Sequence, residues 1–159
     1  MENCGCGSSS NGNELKEIVN FAIDREQEAA DFYYDLSKRS KVQGIKDELI
    51  KFAKMEEGHR DKLKSLDVEG IMNKDIEPVT NLKISDYMVD MTPTPDMTWQ
   101  DILNIAMKRE LASMNLYNAL AAKAKSESLK QMFTSLSKEE SKHKLYFETI
   151  YDDEILKEN

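Results

Sequence analysis

Two short stretches carry the residues best suited to chemistry: Glu56-Glu57-Gly58-His59 and, 84 residues later, Glu140-Ser141-Lys142-His143. Each is a Glu-x-x-His pattern. In an α-helix, residues three apart share nearly one face, so each pair can present a carboxylate and an imidazole to a common point. The same offset of 84 relates Glu26 to Glu110 and Tyr33 to Tyr117 without a gap. Four carboxylates and both histidines of the chain are thus related by one internal repeat. A carboxylate buried among apolar neighbours is costly unless it is paired or metal-bound. Two divalent cations would balance four carboxylates while neutral imidazoles completed the coordination. Mixed carboxylate and imidazole ligation suits iron or manganese, with zinc also possible, and bridging carboxylates would hold two ions about 3.5–4 Å apart.

The elements that must position these groups read as four helices. Leu15, Ile18, Val19, Ala22, Ala29, Phe32, Tyr33 and Leu36 recur at three- and four-residue steps over about Glu14 to Ser40, with Asn13 as N-cap and Glu26 within the stripe. After a break near Lys41 to Gly44, a second helix is predicted over about Ile45 to Leu66, its stripe containing Leu49, Phe52, Met55, Glu56, His59 and Leu63. So short a connection implies antiparallel neighbours. Residues 67–97 hold all three prolines and read as a long crossover, with a helical turn or two between Leu82 and Met91. A loop of this length needs a topological role, here spanning a bundle so that the third helix starts where the first did. Thr98 with Asp101 marks the next helix start, and a third helix runs over about Trp99 to Lys125 with Glu110 and Tyr117 inward. Trp99 is expected to anchor the crossover. Ser126 can cap a fourth helix, about Glu127 to Leu156, carrying Phe133, Leu136, Glu140, His143 and Phe147.

Laying residues 14–66 on 98–150 gives identities at Ile18, Asn20, Ala22, Arg25, Glu26, Tyr33, Leu36, Lys41, Lys46, Lys54, Glu56 and His59. The halves therefore look like duplicated helical hairpins, 14–66 and 98–156, related by an approximate two-fold. Solvated faces account for Glu28, Glu57 and Glu139, but not for the four Glu that share the phase of large apolar neighbours. A lone Glu-x-x-His would be commonplace in an acidic helical chain, whereas the duplicated set is specific. Tyr33 and Tyr117 lie two turns beyond Glu26 and Glu110 on the same stripe. They either fill the core or hydrogen-bond a ligand carboxylate.

At 159 residues the chain is one domain's worth, a third of it charged, with six Gly and three Pro, a balance that favours helix. The formal charge of −8 argues against a nucleic-acid partner. No stretch approaches the roughly 18 apolar residues of a membrane span, and no signal peptide is recognisable at the start. A cytoplasmic protein is the expectation. Cys4 and Cys6 sit in a Gly/Ser/Asn run over residues 1–12, expected to be a flexible tail preceding a bundle domain at 13–157.

Glu26, Glu56-x-x-His59, Glu110 and Glu140-x-x-His143, on four helices with a long crossover, resemble the rubrerythrin branch of the ferritin-like superfamily. The resemblance covers about Asn13 to Leu156. It implies a four-helix bundle around a carboxylate-bridged diiron centre, a non-haem peroxidase or oxidase of oxidative-stress defence that reacts with peroxide or dioxygen. Glu56 and Glu140 would bridge, Glu26 and Glu110 would be terminal, and His59 and His143 would each ligate one iron. Two departures matter. The chain has no four-cysteine rubredoxin domain, so electrons would come from an external donor such as a rubredoxin-like protein. The additional carboxylate that the branch carries one turn after the third-helix Glu is here Ser113, whose repeat mate is Ala29.

The expected activity is therefore an oxidoreductase reducing hydrogen peroxide or dioxygen, acting as a homodimer. The bare ligand set equally resembles ferroxidase centres, which makes iron handling the alternative. A metal-stabilised interaction module without turnover is a third.

Overall fold

The structure is a computed structural model that describes residues 9–72 and 74–157. Among these residues the long elements are all helices: α1 (Ser9–Arg39), α2 (Gln43–Lys64), a short α3 (Val68–Met72), α4 (Trp99–Lys123) and α5 (Glu127–Tyr151). The chain divides into two compact units at Asn81 and Leu82. Each unit is one helical hairpin.

In the first unit α1 and α2 run antiparallel, because Glu26 approaches His59 while Tyr33, two turns on, meets Phe52, nearly two turns back. The buried stripe is Leu15, Ile18, Val19, Ala22, Ala30, Phe32, Tyr33 and Leu36 on α1, facing Leu49, Phe52, Ala53 and Leu63 on α2. Lys38 and Arg39 sit in the last turn of α1, where cations complement the helix dipole. Ser40 holds the tight connection, its hydroxyl accepting from the Val42 N–H at 3.2 Å.

Four expectations need correction here. Helix α1 starts at Ser9, not Glu14, so residues 9–12 of the anticipated tail are helical. Asn13 is not its cap; the amide donates to Glu17 one turn on at 2.8 Å. Adding a turn to a nucleated helix is cheap, even through Ser, Asn and Gly whose individual penalties are about 1 kcal/mol or less. Residues 1–8 with Cys4 and Cys6 lie outside the described residues. Met55, placed in the inward stripe, is exposed, because its phase lies one position off that of Glu56. The chain after α2 is also not plain loop. Asp67 accepts from the Gly70 N–H to start α3, which packs on α1, and Ile76 and Val79 are buried.

In the second unit a 3-10 turn at Ile84–Tyr87 packs on α4, within the segment where the sequence predicts a helical turn. Thr98 and Asp101 form a full capping box: the Thr98 hydroxyl accepts from the Asp101 N–H at 3.1 Å and the Asp101 carboxylate accepts from the Thr98 N–H at 3.1 Å. Ser126 caps α5 by accepting from the Leu129 N–H at 3.2 Å. Helices α4 and α5 are antiparallel, with Trp99 meeting Glu154 at one end and Tyr117 stacked on Phe133 at the other. Helix α5 ends in a π-helical turn at Asp152–Leu156 rather than continuing as regular α-helix. Trp99 serves that turn. Its indole N–H donates to the Glu154 carboxylate at 2.6 Å, beside a Gln100 to Tyr151 bond of 2.8 Å.

Candidate metal centre

Every one of the six ligand candidates is buried: Glu26, Glu110 and Glu140 are 2 % exposed, Glu56 0 %, His59 3 % and His143 1 %. Acidic side chains are almost never so enclosed without compensation. Each reaches the interior because it occupies the helical phase of the leucine and aromatic stripe around it.

In the first hairpin α1 supplies Glu26 and α2 supplies Glu56 and His59. His59 Nδ1 lies 2.9 Å from Glu56 Oε2 and 3.7 Å from Glu26 Oε2. In the second, α4 supplies Glu110 and α5 supplies Glu140 and His143. His143 Nδ1 lies 3.6 Å from Glu110 Oε1 and 3.7 Å from Glu140 Oε2. Within each triad one ligand atom per residue falls inside 4.8 Å of the others. Two donors that share an ion at about 2.1 Å are separated by about 3.0 Å at a right angle and about 3.4 Å at a tetrahedral angle. Both triads have spacings close to these.

The electrostatics agree. Burial pushes the Glu110 carboxyl well above its ordinary range, the charge of Glu140 pushes it the same way, and His143 offsets only part. A cation among these carboxylates would remove the penalty. Hard oxygen donors with one imidazole per triad fit iron or manganese, so the residues present fit a divalent ion in each hairpin.

Tyr33 and Tyr117 are both 1 % exposed. The Tyr33 ring packs at 5.5 Å from Phe32 and 6.1 Å from Phe52, and Tyr117 stacks on Phe133 at 6.4 Å. These contacts show the core-filling role; they do not test the hydrogen-bonding one. Two cross-helix pairs beside the first triad were not legible in the sequence: Tyr34 donates to Glu57 at 3.3 Å and Arg60 donates to Gln27. The one available signal was that the repeat breaks at these positions, with Asn118 for Tyr34, Ser141 for Glu57, Leu111 for Gln27 and Lys144 for Arg60.

Comparison with known proteins bears on the same residues. Residues 101–159 match the rubrerythrin family model. The matched segment holds Glu110, Glu140 and His143, so the rubrerythrin resemblance is shown on the second hairpin. A solved structure described as a hypothetical protein from Pyrococcus furiosus is similar with a TM-score of 0.66 and 22 % identity, covering 87 % of this chain and 88 % of that one. That likeness concerns fold alone. Among curated proteins, none matches the chain significantly. The described residues are all-α, as in a ferritin-like bundle, and the buried Glu and His clusters could hold metal ions. No helix among the described residues is long and apolar enough to cross a membrane.

Proposed function

We propose that the two triads hold a pair of iron ions and that the protein is an oxidoreductase, reducing hydrogen peroxide or dioxygen with electrons from an external donor. The observation that carries the reading is the duplicated burial of two Glu and one His in ligating range within each hairpin. By the resemblance, Glu26, Glu56 and His59 would hold one ion and Glu110, Glu140 and His143 the other, with Glu26 and Glu110 as terminal ligands and Glu56 and Glu140 as the family's bridging positions.

Reduction of hydrogen peroxide to two waters takes two electrons and two protons. Bound iron would supply the electrons, one from each Fe2+. The protein's own residues do the rest. Buried apolar residues of each hairpin, Leu36 and Leu49 in the first and Leu103, Leu120, Leu136 and Phe147 in the second, keep bulk water out of its core, which strengthens charge interactions there. The carboxylates would cancel the ions' charge, and the two protons that the reduction consumes would be taken up from solvent. The Tyr33 and Tyr117 hydroxyls would orient a ligand carboxylate by donating to it. An external donor such as a rubredoxin-like protein would in turn supply the electrons. A homodimer in the cytoplasm is the proposed setting.

A second reading, oxidation of Fe2+ for storage or delivery, is favoured by one feature: Ser113 stands where the branch carries its additional carboxylate. Anaerobic loading with Fe2+, followed by stopped-flow mixing with equal concentrations of hydrogen peroxide or dioxygen, separates the two. Much faster ferric absorbance growth with peroxide supports the peroxidase. Equal or faster growth with dioxygen favours the ferroxidase, and no growth with either refutes both.

A further inference from the structure

The two half-sites repeat in their ligands but differ in what stands immediately outside them. In the first hairpin Gln27 follows Glu26 and Arg60 follows His59. Arg60 donates through Nη1 to the Gln27 carbonyl oxygen across the α1–α2 interface. The other side of that amide donates to Asp31 at 3.0 Å, and the other edge of the guanidinium reaches Asp61 at 2.8 and 2.9 Å. Asp31, Gln27, Arg60 and Asp61 thus form one network, half-buried at its centre, that ties the helices together at the level of the ligands. Both faces of the Gln27 amide and both edges of the Arg60 guanidinium are committed, so neither helix can turn about its axis there without breaking bonds.

The corresponding residues of the second hairpin, 84 positions on, are Asn115, Leu111, Lys144 and Leu145. Leu111 has no polar atom to offer, Lys144 gives its ammonium to Glu148 on its own helix, and Leu111 and Leu145 are exposed. The second hairpin has its own cross-link, Ser137 to the Asn118 side chain at 2.6 Å and to the Met114 carbonyl at 3.3 Å. That link is neutral and lies one turn from Glu140 and one turn from Glu110, rather than on residues next to the ligands.

We infer that the half-sites are unequal: the Asp31–Gln27–Arg60–Asp61 network preorganises Glu26 and His59, so the first hairpin takes the first divalent ion, and the second hairpin fills afterwards at lower affinity. The inference rests on the proposal above that the triads hold ions. Ordering side chains and helices around an ion opposes binding, and supports already ordered before the ion arrives reduce that cost. Outer residues that orient ligands typically change metal affinity by about 10–100-fold when lost. Gln27 and Arg60 are positioning residues in this sense, acting through the ligands beside them.

Anaerobic isothermal titration of the full chain with Fe2+ tests it, with helix content and the urea midpoint recorded for each variant. The expected wild-type isotherm has two steps of one ion each, separated by about tenfold or more in affinity. Gln27→Leu, which gives the first hairpin the residue of the second, weakens the tight step about tenfold and leaves the weak step in place. Arg60→Lys keeps a cationic donor for Gln27 and retains most of the tight step. His59→Ala removes the tight step and His143→Ala the weak one. A tight step unchanged in Gln27→Leu, or lost in His143→Ala instead of His59→Ala, overturns the inference while leaving a metal pair intact. No binding by the wild-type chain, or two steps surviving in His59→Ala/His143→Ala, overturns the metal pair and the inference with it.

Discussion

Replacing Glu110 with Gln in the metal-free protein keeps the volume of a side chain that is 2 % exposed and removes its charge. Unfolded, the Glu110 carboxyl titrates near its ordinary value of 4.5; folded, burial and the charge of Glu140 hold it well above that. Between the two values the folded chain keeps a proton that the unfolded chain has released. A group raised in this way contributes stability that is fully present below its unfolded value and is lost as pH rises through the folded one. With one proton at stake, the loss is at most about 1.4 kcal/mol per pH unit across that window. Against a total stability of about 5–15 kcal/mol, one or two units decide a large fraction. Urea unfolding in the presence of a chelator, at half-unit steps from pH 4.5 to 8, measures it. Wild type and Glu110→Gln should nearly coincide at the acidic end and separate steadily as pH rises, the variant being the more stable. Divalent metal should invert the order, since a ligand at a hundred times its Kd stabilises the folded wild type by about 2.7 kcal/mol and the variant has lost a ligand oxygen's charge. A chelated wild type as stable as Glu110→Gln at pH 8, or equal metal stabilisation of the two, would refute the reasoning.

Other consequences are simpler. Phe133→Ala empties a fully buried position stacked on Tyr117 and should cost about 3–5 kcal/mol in the urea midpoint; a loss under 1 kcal/mol would mean that the core there is not packed as described. Thr98→Ala breaks the capping box of α4 and should cost about 1 kcal/mol, with Thr98→Ser restoring most of it in the same assay.

The fold was legible wherever periodicity and capping chemistry act locally. Thr98 and Asp101 mark a helix start by residue type alone, and the structure pairs them as expected. Glu26, Glu56, Glu110 and Glu140 were identifiable because carboxylates repeat in the phase of leucines, a pattern that random acidic faces do not produce. What escaped depends on tertiary context or on single-residue phase. Met55 sits one step from Glu56 yet faces outward, since 100° of helical rotation separates neighbours. Ile76 and Val79 are buried in a segment whose prolines suggested only loop, because burial of single residues in an irregular segment leaves no local periodicity. The Arg60 to Gln27 link joins residues 33 apart and could be suspected only where the repeat breaks. The π-helical end of α5 has the same cause: Trp99 and Gln100, about 50 positions upstream, hold Glu154 and Tyr151.

The central claim is that each hairpin's triad binds one divalent ion. Crystals grown anaerobically with Fe2+, with anomalous difference maps collected on either side of the iron edge, test it most directly. Two peaks per chain are expected, one at about 2.0–2.3 Å from a His59 ring nitrogen and from carboxylate oxygens of Glu26 and Glu56, the other likewise at His143, Glu110 and Glu140. Fully loaded protein with no iron peak at either triad, or with iron only at surface carboxylates, would contradict the account.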